Sequence, residues 1–194
     1  MASLTESRLG RPPKVDEDGV ATRERLLRAG VASCVEFGFD GATVADIAAR
    51  ADVSAPAIYN HFGGKVELLV AAGRDALARL APQDPTTRPQ AADVVRTFLA
   101  PDFEPTRRLL IELHGAAGRH AEVAALLADW HTERADRWRS ASNVDDDAVV
   151  KIFFALLLGL CHIESLSALP ASQQSLVRYA EALASALFDQ RSRS

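Results

Sequence analysis

The sequence predicts an all-α protein. Apolar residues recur at three-to-four-residue spacing through most of its 194 residues, Gly and Pro fall between the periodic stretches, and no window shows the strict alternation or β-branched enrichment of a strand. About nine helices are expected, grouped as an arm over residues 1–19, a three-helix unit with a helix-turn-helix over 20–65, and a helical remainder over 66–194.

Each element follows from its own residues. Residues 1–19 hold Arg8, Gly10, Arg11, Pro12, Pro13 and Lys14, then Asp16, Glu17 and Asp18, with few apolar side chains to bury, which predicts a flexible arm. From Thr22 onward Leu26, Leu27, Gly30, Val31, Cys34 and Phe37 keep one helical face until Gly38 offers a stop. Thr43 N-caps a short second helix, with Asp46 in a capping-box relation, running through Ile47 and Ala48 to about Ala51. Ser54 N-caps a third, with Pro56 in the first turn, where its missing N–H leaves nothing unsatisfied; this helix ends near His61. Gly63 and Gly64 break the chain, and Lys65 opens a fourth helix through Leu68, Leu69, Ala72, Ala76, Leu77 and Leu80. Pro82, Pro85 and Pro89 mark a linker, after which helices are expected at about 90–100, 105–118, 120–141, 146–168 and 172–189.

Composition limits the function. A net charge of -4 and a pI near 5.7 argue against a protein that coats nucleic acid non-specifically, which needs a surplus of Lys and Arg. Over residues 1–65 acidic side chains exceed basic ones by one, so any DNA contact must be local and geometric. Cys34 and Cys161 lie far apart in apolar helical patterns, suggesting neither a disulfide nor a zinc cluster, and a reducing cytoplasm fits. The N-terminus lacks the apolar stretch of a signal peptide, and the longest apolar run, Ile152 to Cys161, is about half a membrane span.

Residues 43–62 have the form of two short helices joined by a tight turn, a unit that can place its second helix in a major groove. Val44, Ile47, Ala48, Val53, Ile58 and Phe62 can close against the first helix and leave Ser54, Tyr59, Asn60 and His61 facing out. The run Thr43-Val-Ala-Asp-Ile-Ala-Ala-Arg-Ala-Asp-Val-Ser-Ala-Pro-Ala-Ile-Tyr-Asn-His-Phe62, followed by Gly-Gly-Lys65, resembles the DNA-binding domain of the tetracycline-repressor (TetR) family. The resemblance implies that Thr43, Tyr59, His61 and Lys65 contact phosphates, and that Ser54, Ala55, Ala57 and Asn60 lie nearest the bases of a double-stranded operator. Hydroxyls, imidazole N–H and ammonium groups all donate to phosphate oxygens, which fixes register without reading sequence. Two positions depart from the family pattern: Asp52 stands where the turn usually carries Gly, and Ala55-Pro56 where a longer polar residue is common. Asp tolerates a left-handed turn. Ala and Pro offer bases only apolar contact, which leaves Asn60 as the main hydrogen-bonding reader. Arg8, Gly10, Arg11, Pro12, Pro13 and Lys14 resemble the core of an AT-hook, with Gly-Arg-Pro at its centre but without the Arg that normally precedes the Gly, so the arm either reads A·T-rich minor groove or adds diffuse charge only.

In the remainder, the Ile152–Cys161 run is apolar around its whole circumference and must be covered on both sides. A homodimer interface through Leu156, Leu160, Leu176, Tyr179, Leu183 and Leu187 does this, and a helix wholly buried in a monomer is the alternative. The resemblance favours the dimer. The middle helices mix Phe98, Phe103, His114, Trp130, His131, Trp138, Phe154 and His162. A small-molecule effector site needs an apolar cavity with a few placed polar groups, and Phe98, Phe103, His114, Trp130, Trp138, Phe154 and His162 are its candidates.

No cofactor, metal site or catalytic residue is expected. His120-Ala-Glu122, His131-Thr-Glu133 and His162-Ile-Glu164 echo a deaminase motif, but residues two apart on a helix do not face one another. Asp145, Asp146 and Asp147 fit the positive end of a helix dipole better than a metal. The expected function is ligand-controlled transcriptional repression; an enzyme or a helical interaction module without DNA binding are the rivals.

Overall fold

A computed structural model describes residues 21–80, 90–142, 147–166 and 172–189. The described residues form nine α-helices and one 3-10 turn, with no strand. In order these are α1 (Thr22–Gly41), α2 (Val44–Arg50), α3 (Ala55–His61), α4 (Lys65–Ala78), α5 (Ala91–Leu99), the turn Pro101–Phe103, α6 (Glu104–Ala117), α7 (Ala121–Ser142), α8 (Asp147–Leu166) and α9 (Gln173–Asp189). The expected all-α fold is what the chain adopts. The arm with Arg8, Arg11 and Lys14, the Pro82–Pro89 linker, and Asp145 and Asp146 lie outside the described residues.

Helix α1 packs on α4 and α6, α2 and α3 close beneath it, α6 lies against α7 and α8, and α5 lies along α9. A single core runs through these layers, from Leu26, Ile47, Ile58 and Leu68 to Leu113, Val123, Val150 and Phe153, each at most 1% exposed. Gly30 is what lets α1 and α4 approach: a Cβ there would stand 2.6 Å from Leu68 Cδ2. At the other end, Trp138 stacks on Phe188 at 4.9 Å and meets Phe153 edge-on at 5.2 Å, tying α7, α8 and α9 together.

Two local expectations change. Gly38 does leave helical geometry, with φ of 77°, but the chain resumes a final turn to Gly41. The break carries Phe39 into the core at 1% exposure, where its N–H finds Glu112 Oε2 of α6 at 3.3 Å. Ser54 occupies the N-cap position of α3 in extended conformation, yet its side chain makes no capping bond. Pro56 has no N–H to offer it, and the Ala57 N–H is taken by the Ser54 carbonyl at 2.9 Å, so the hydroxyl stays free of the helix end. Thr43, by contrast, accepts from Asp46 N–H at 3.1 Å, and its hydroxyl donates to the Asp46 carboxylate.

Candidate nucleic-acid interface and ligand cavity

The turn between α2 and α3 is made by Asp52, whose φ of 52° is the left-handed conformation that the family usually gives to Gly. It orients α3 so that Ile58 (0% exposed) and Phe62 (9%) are held in the core while Tyr59, at 60%, projects outward. Ser54, Asn60 and His61 are exposed with Tyr59, Thr43 is exposed at the start of α2, and Ala55 and Ala57 are half-buried on the near edge of α3. The helix-turn-helix thus gathers Thr43, Ser54, Tyr59, Asn60 and His61 on accessible surface.

Lys65 has a second task. Its Nζ donates to the carbonyls of Asp40 at 2.8 Å and Phe39 at 3.4 Å, placing a cation on the negative end of α1. Arg23 lies 5.4 Å over the Phe62 ring, and Arg50 pairs with Glu36, so neither is an uncommitted surface cation.

The second site lies between α5, α6, α7 and α8. Phe98, Leu110, His114, Trp130, His131, Phe154, Leu157, Leu158 and Cys161 line a cavity of about 20 Å³, room for about one water. Of the sequence candidates, Phe98, His114, Trp130 and Phe154 come together here. Phe103 instead lies outside, packed on Phe98 at 4.8 Å, Trp138 is sealed in the aromatic cluster at 4% exposure, and His162 is exposed on α8. His131 was not among the candidates; its signal was the occurrence of one imidazole on each of two successive helices otherwise rich in apolar residues.

His114 Nδ1 lies 2.8 Å from the Leu110 carbonyl and its Nε2 lies 3.0 Å from His131 Nε2. Only a ring N–H can bond a carbonyl, so the proton of His114 sits on Nδ1 and its Nε2 accepts from His131 Nε2–H. Burial pushes His131 down to about 4, with His114 and Arg134 adding to the effect, so the His131 ring is neutral near pH 7. Burial raises the thiol of Cys161 to about 11 and that of Cys34 to about 12, which makes both unreactive. Among the described residues no three His, Cys, Asp or Glu side chains are placed to hold a metal, and no helix is long and apolar enough to cross a membrane.

The two sites are physically joined. Asp40, at the end of α1, accepts from Arg119 Nη2 at 2.6 Å and pairs with His120 Nε2 at 2.7 Å, both at the turn after α6. Those hydrogen bonds, His120 first, hold the Asp40 carboxyl below its usual range. No sequence pattern singled out this link, because its partners are about 80 residues apart.

On the opposite side, α8 and α9 expose apolar side chains. Ile152 is 55% exposed, Tyr179 67% and Leu183 57%. Leu156, Leu160, Leu176 and Leu187 are half-buried beside them.

Comparison with known proteins agrees with this architecture. The family model for bacterial regulatory proteins of the tetR family matches residues 26–72. The HTH-type transcriptional repressor Rv1474c of Mycobacterium tuberculosis is 33% identical over 162 residues, spanning 75% of this chain and 83% of the relative. A TetR-family member from Streptomyces coelicolor A3 superposes with a TM-score of 0.66 at 25% identity, covering 86% of this chain and 97% of that one. The multidrug binding protein EbrR complexed with imidazole gives 0.64 at 25% identity, over 89% and 90% of the two chains. This chain belongs to the TetR family and is a DNA-binding transcriptional regulator.

Proposed function

We propose that the protein is a two-fold dimeric repressor that grips a palindromic operator with α3 and releases it when a small molecule enters the C-terminal helices. The observation that carries this is the outward face of α3, where Tyr59 is 60% exposed and Ser54, Asn60 and His61 are exposed on a helix pinned from behind by Ile58. In this reading residues 20–65 bind DNA and 66–194 bind ligand and dimerise, with α4 passing from one to the other. Thr43, Tyr59, His61 and Lys65 meet phosphates, and Ser54, Ala55, Ala57 and Asn60 meet bases. Arg8, Arg11 and Lys14 extend the contact from the arm.

Dimerisation through α8 and α9 is supported by their exposed apolar side chains, which pack as a four-helix interface when two copies meet. Two heads then read two half-sites about one helical turn, ~34–36 Å, apart. Release follows if ligand shifts α6, since Arg119 and His120 at its end hold Asp40 of α1. A ligand prefers one head spacing by its differential affinity alone, and a few kcal/mol moves most of the population.

Genome-wide mapping of bound DNA, followed by footprinting of a recovered fragment, tests the reading. A protected pseudo-palindrome is the expected result. Uniform, sequence-independent protection overturns it and favours an interaction module.

A further inference from the structure

The cavity between α5 and α8 has a chemistry more specific than an apolar hole. Its walls are Phe98, Trp130, Phe154 and aliphatic side chains, and its polar groups are the two coupled imidazoles and a neutral thiol. With the proton of His131 committed to His114, His131 Nδ1 is the ring nitrogen of the pair left with a bare lone pair among the described residues. It can take a proton without breaking the bridge to His114, and becomes a donor when it does.

The surroundings select the sign of the occupant. Arg134 lies 4.7 Å over the Trp130 ring, with its buried Nε unpartnered. Arg107 donates to the carbonyls of Phe98 at 2.6 Å and Ala100 at 2.8 Å, so among the described residues its guanidinium is held by backbone dipoles. Arg134 on α7 therefore acts on His131, Arg107 on α6 acts on the Cys161 thiol of α8 that lines the same cavity, and α5 presents Phe98. Glu133 and Glu164 act on Arg134 and Cys161 from outside, and no carboxylate lines the cavity. A cationic ligand meets repulsion here, and a neutral one leaves the cationic field unanswered.

We propose, building on the ligand-sensing reading above, that this cavity takes a small carboxylic acid with a flat or branched apolar body, bound as the carboxylate together with one proton on the His114–His131 pair. The proton comes from solvent and goes to His131 Nδ1, which then donates to the carboxylate; the apolar body lies among Phe98, Trp130 and Phe154. The cavity of about 20 Å³ is too small for such a guest, so entry must part the half-buried Trp130, Phe154 and Leu158. His114 of α6 lies five residues before Arg119 in the turn that follows the helix, so the same displacement bears on the contact with Asp40.

Calorimetric titration of the full-length protein near neutral pH with benzoate, benzamide and benzamidine tests this, since the probes share a shape and are anionic, neutral and cationic. Benzoate should bind about tenfold or more tightly than the other two, the advantage of a charge-assisted hydrogen bond. Its heat should differ between phosphate and Tris buffers in proportion to an uptake of about one proton per site. His131→Phe and, separately, His114→Asn should remove both the preference and the buffer dependence while melting cooperatively without ligand. The assignment is overturned if benzoate fails to bind at millimolar concentration, binds no better than benzamide, or binds with buffer-independent heat. The DNA fragment recovered by mapping separates this from the broader reading. DNA binding without benzoate binding keeps the regulator and removes the carboxylate. Benzoate binding with proton uptake but unchanged DNA affinity keeps the carboxylate and removes ligand-controlled release.

Discussion

Gly30→Ala and Gly115→Ala are the same chemical change inside two helices, and they should move stability in opposite directions. In a helix interior Ala is favoured over Gly by ~1 kcal/mol, through the entropy Gly loses on folding. At Gly115 of α6 an added Cβ meets nothing within 4 Å, so that gain stands unopposed and stability should rise by about 0.5–1 kcal/mol. At Gly30 the Cβ would lie 2.6 Å from Leu68 Cδ2 and 3.2 Å from Ala72 Cβ. Leu68 is 0% exposed, so its methyl has no free space to enter, and α1 must back away from α4. Overpacking of this kind costs ~1–3 kcal/mol, which exceeds the propensity gain and leaves a net loss of about 1 kcal/mol. Urea unfolding at one fixed protomer concentration measures both variants, with the midpoint reporting stability and the slope the surface exposed. A Gly30→Ala midpoint at or above the parent's with unchanged slope refutes the packing argument. Because α4 begins beside α3, the same variant should also weaken operator binding.

Leu183→Glu places a charge on a side chain that is 57% exposed in one copy, so each subunit should stay folded while sedimentation shows monomers and operator affinity collapses; a stable dimer would move the interface elsewhere. Asn60→Ala should cost ~1–3 kcal/mol of binding to the best operator and relax preference at one base position per half-site, read by competition with single-base variants; a uniform loss across all sequences makes Asn60 a backbone contact. His131 is held down at about 4 from an ordinary 6.5, so below 6.5 the unfolded chain binds a proton that the folded chain refuses. Its contribution is complete above 6.5 and is lost as pH falls towards about 4, a drop on the order of 1–2 kcal/mol once screening of a partly exposed ring is allowed for. Urea midpoints across this range should fall less steeply for His131→Phe, and equal slopes would show that the ring is not the group responsible.

Sequence alone was enough for most of what depends on near neighbours in the chain, the exceptions being the turn resumed after Gly38 and the uncapped Ser54. The helix starts at Thr43 and Pro56, the kink at Gly38 and the Gly63-Gly64 break are local, since caps, φ restrictions and missing N–H groups act within a turn. The recognition face was legible for the same reason: a seven-residue helix with Ile58 on one side necessarily turns Tyr59 and Asn60 to the other. What depends on distant residues meeting was decided only by the fold. Periodicity marked Trp138 and Phe154 alike as aromatic and inward, but packing put Trp138 against Phe188 and Phe154 beside His131. The pairing of His114 with His131, and of Asp40 with Arg119 and His120, exists because α6 lies between α1 and α7. Spacing fixes which side of its own helix a residue occupies, but the burial of many apolar side chains at once chooses which helices face each other, so the cavity and its link to the DNA-reading helices belong to the tertiary structure.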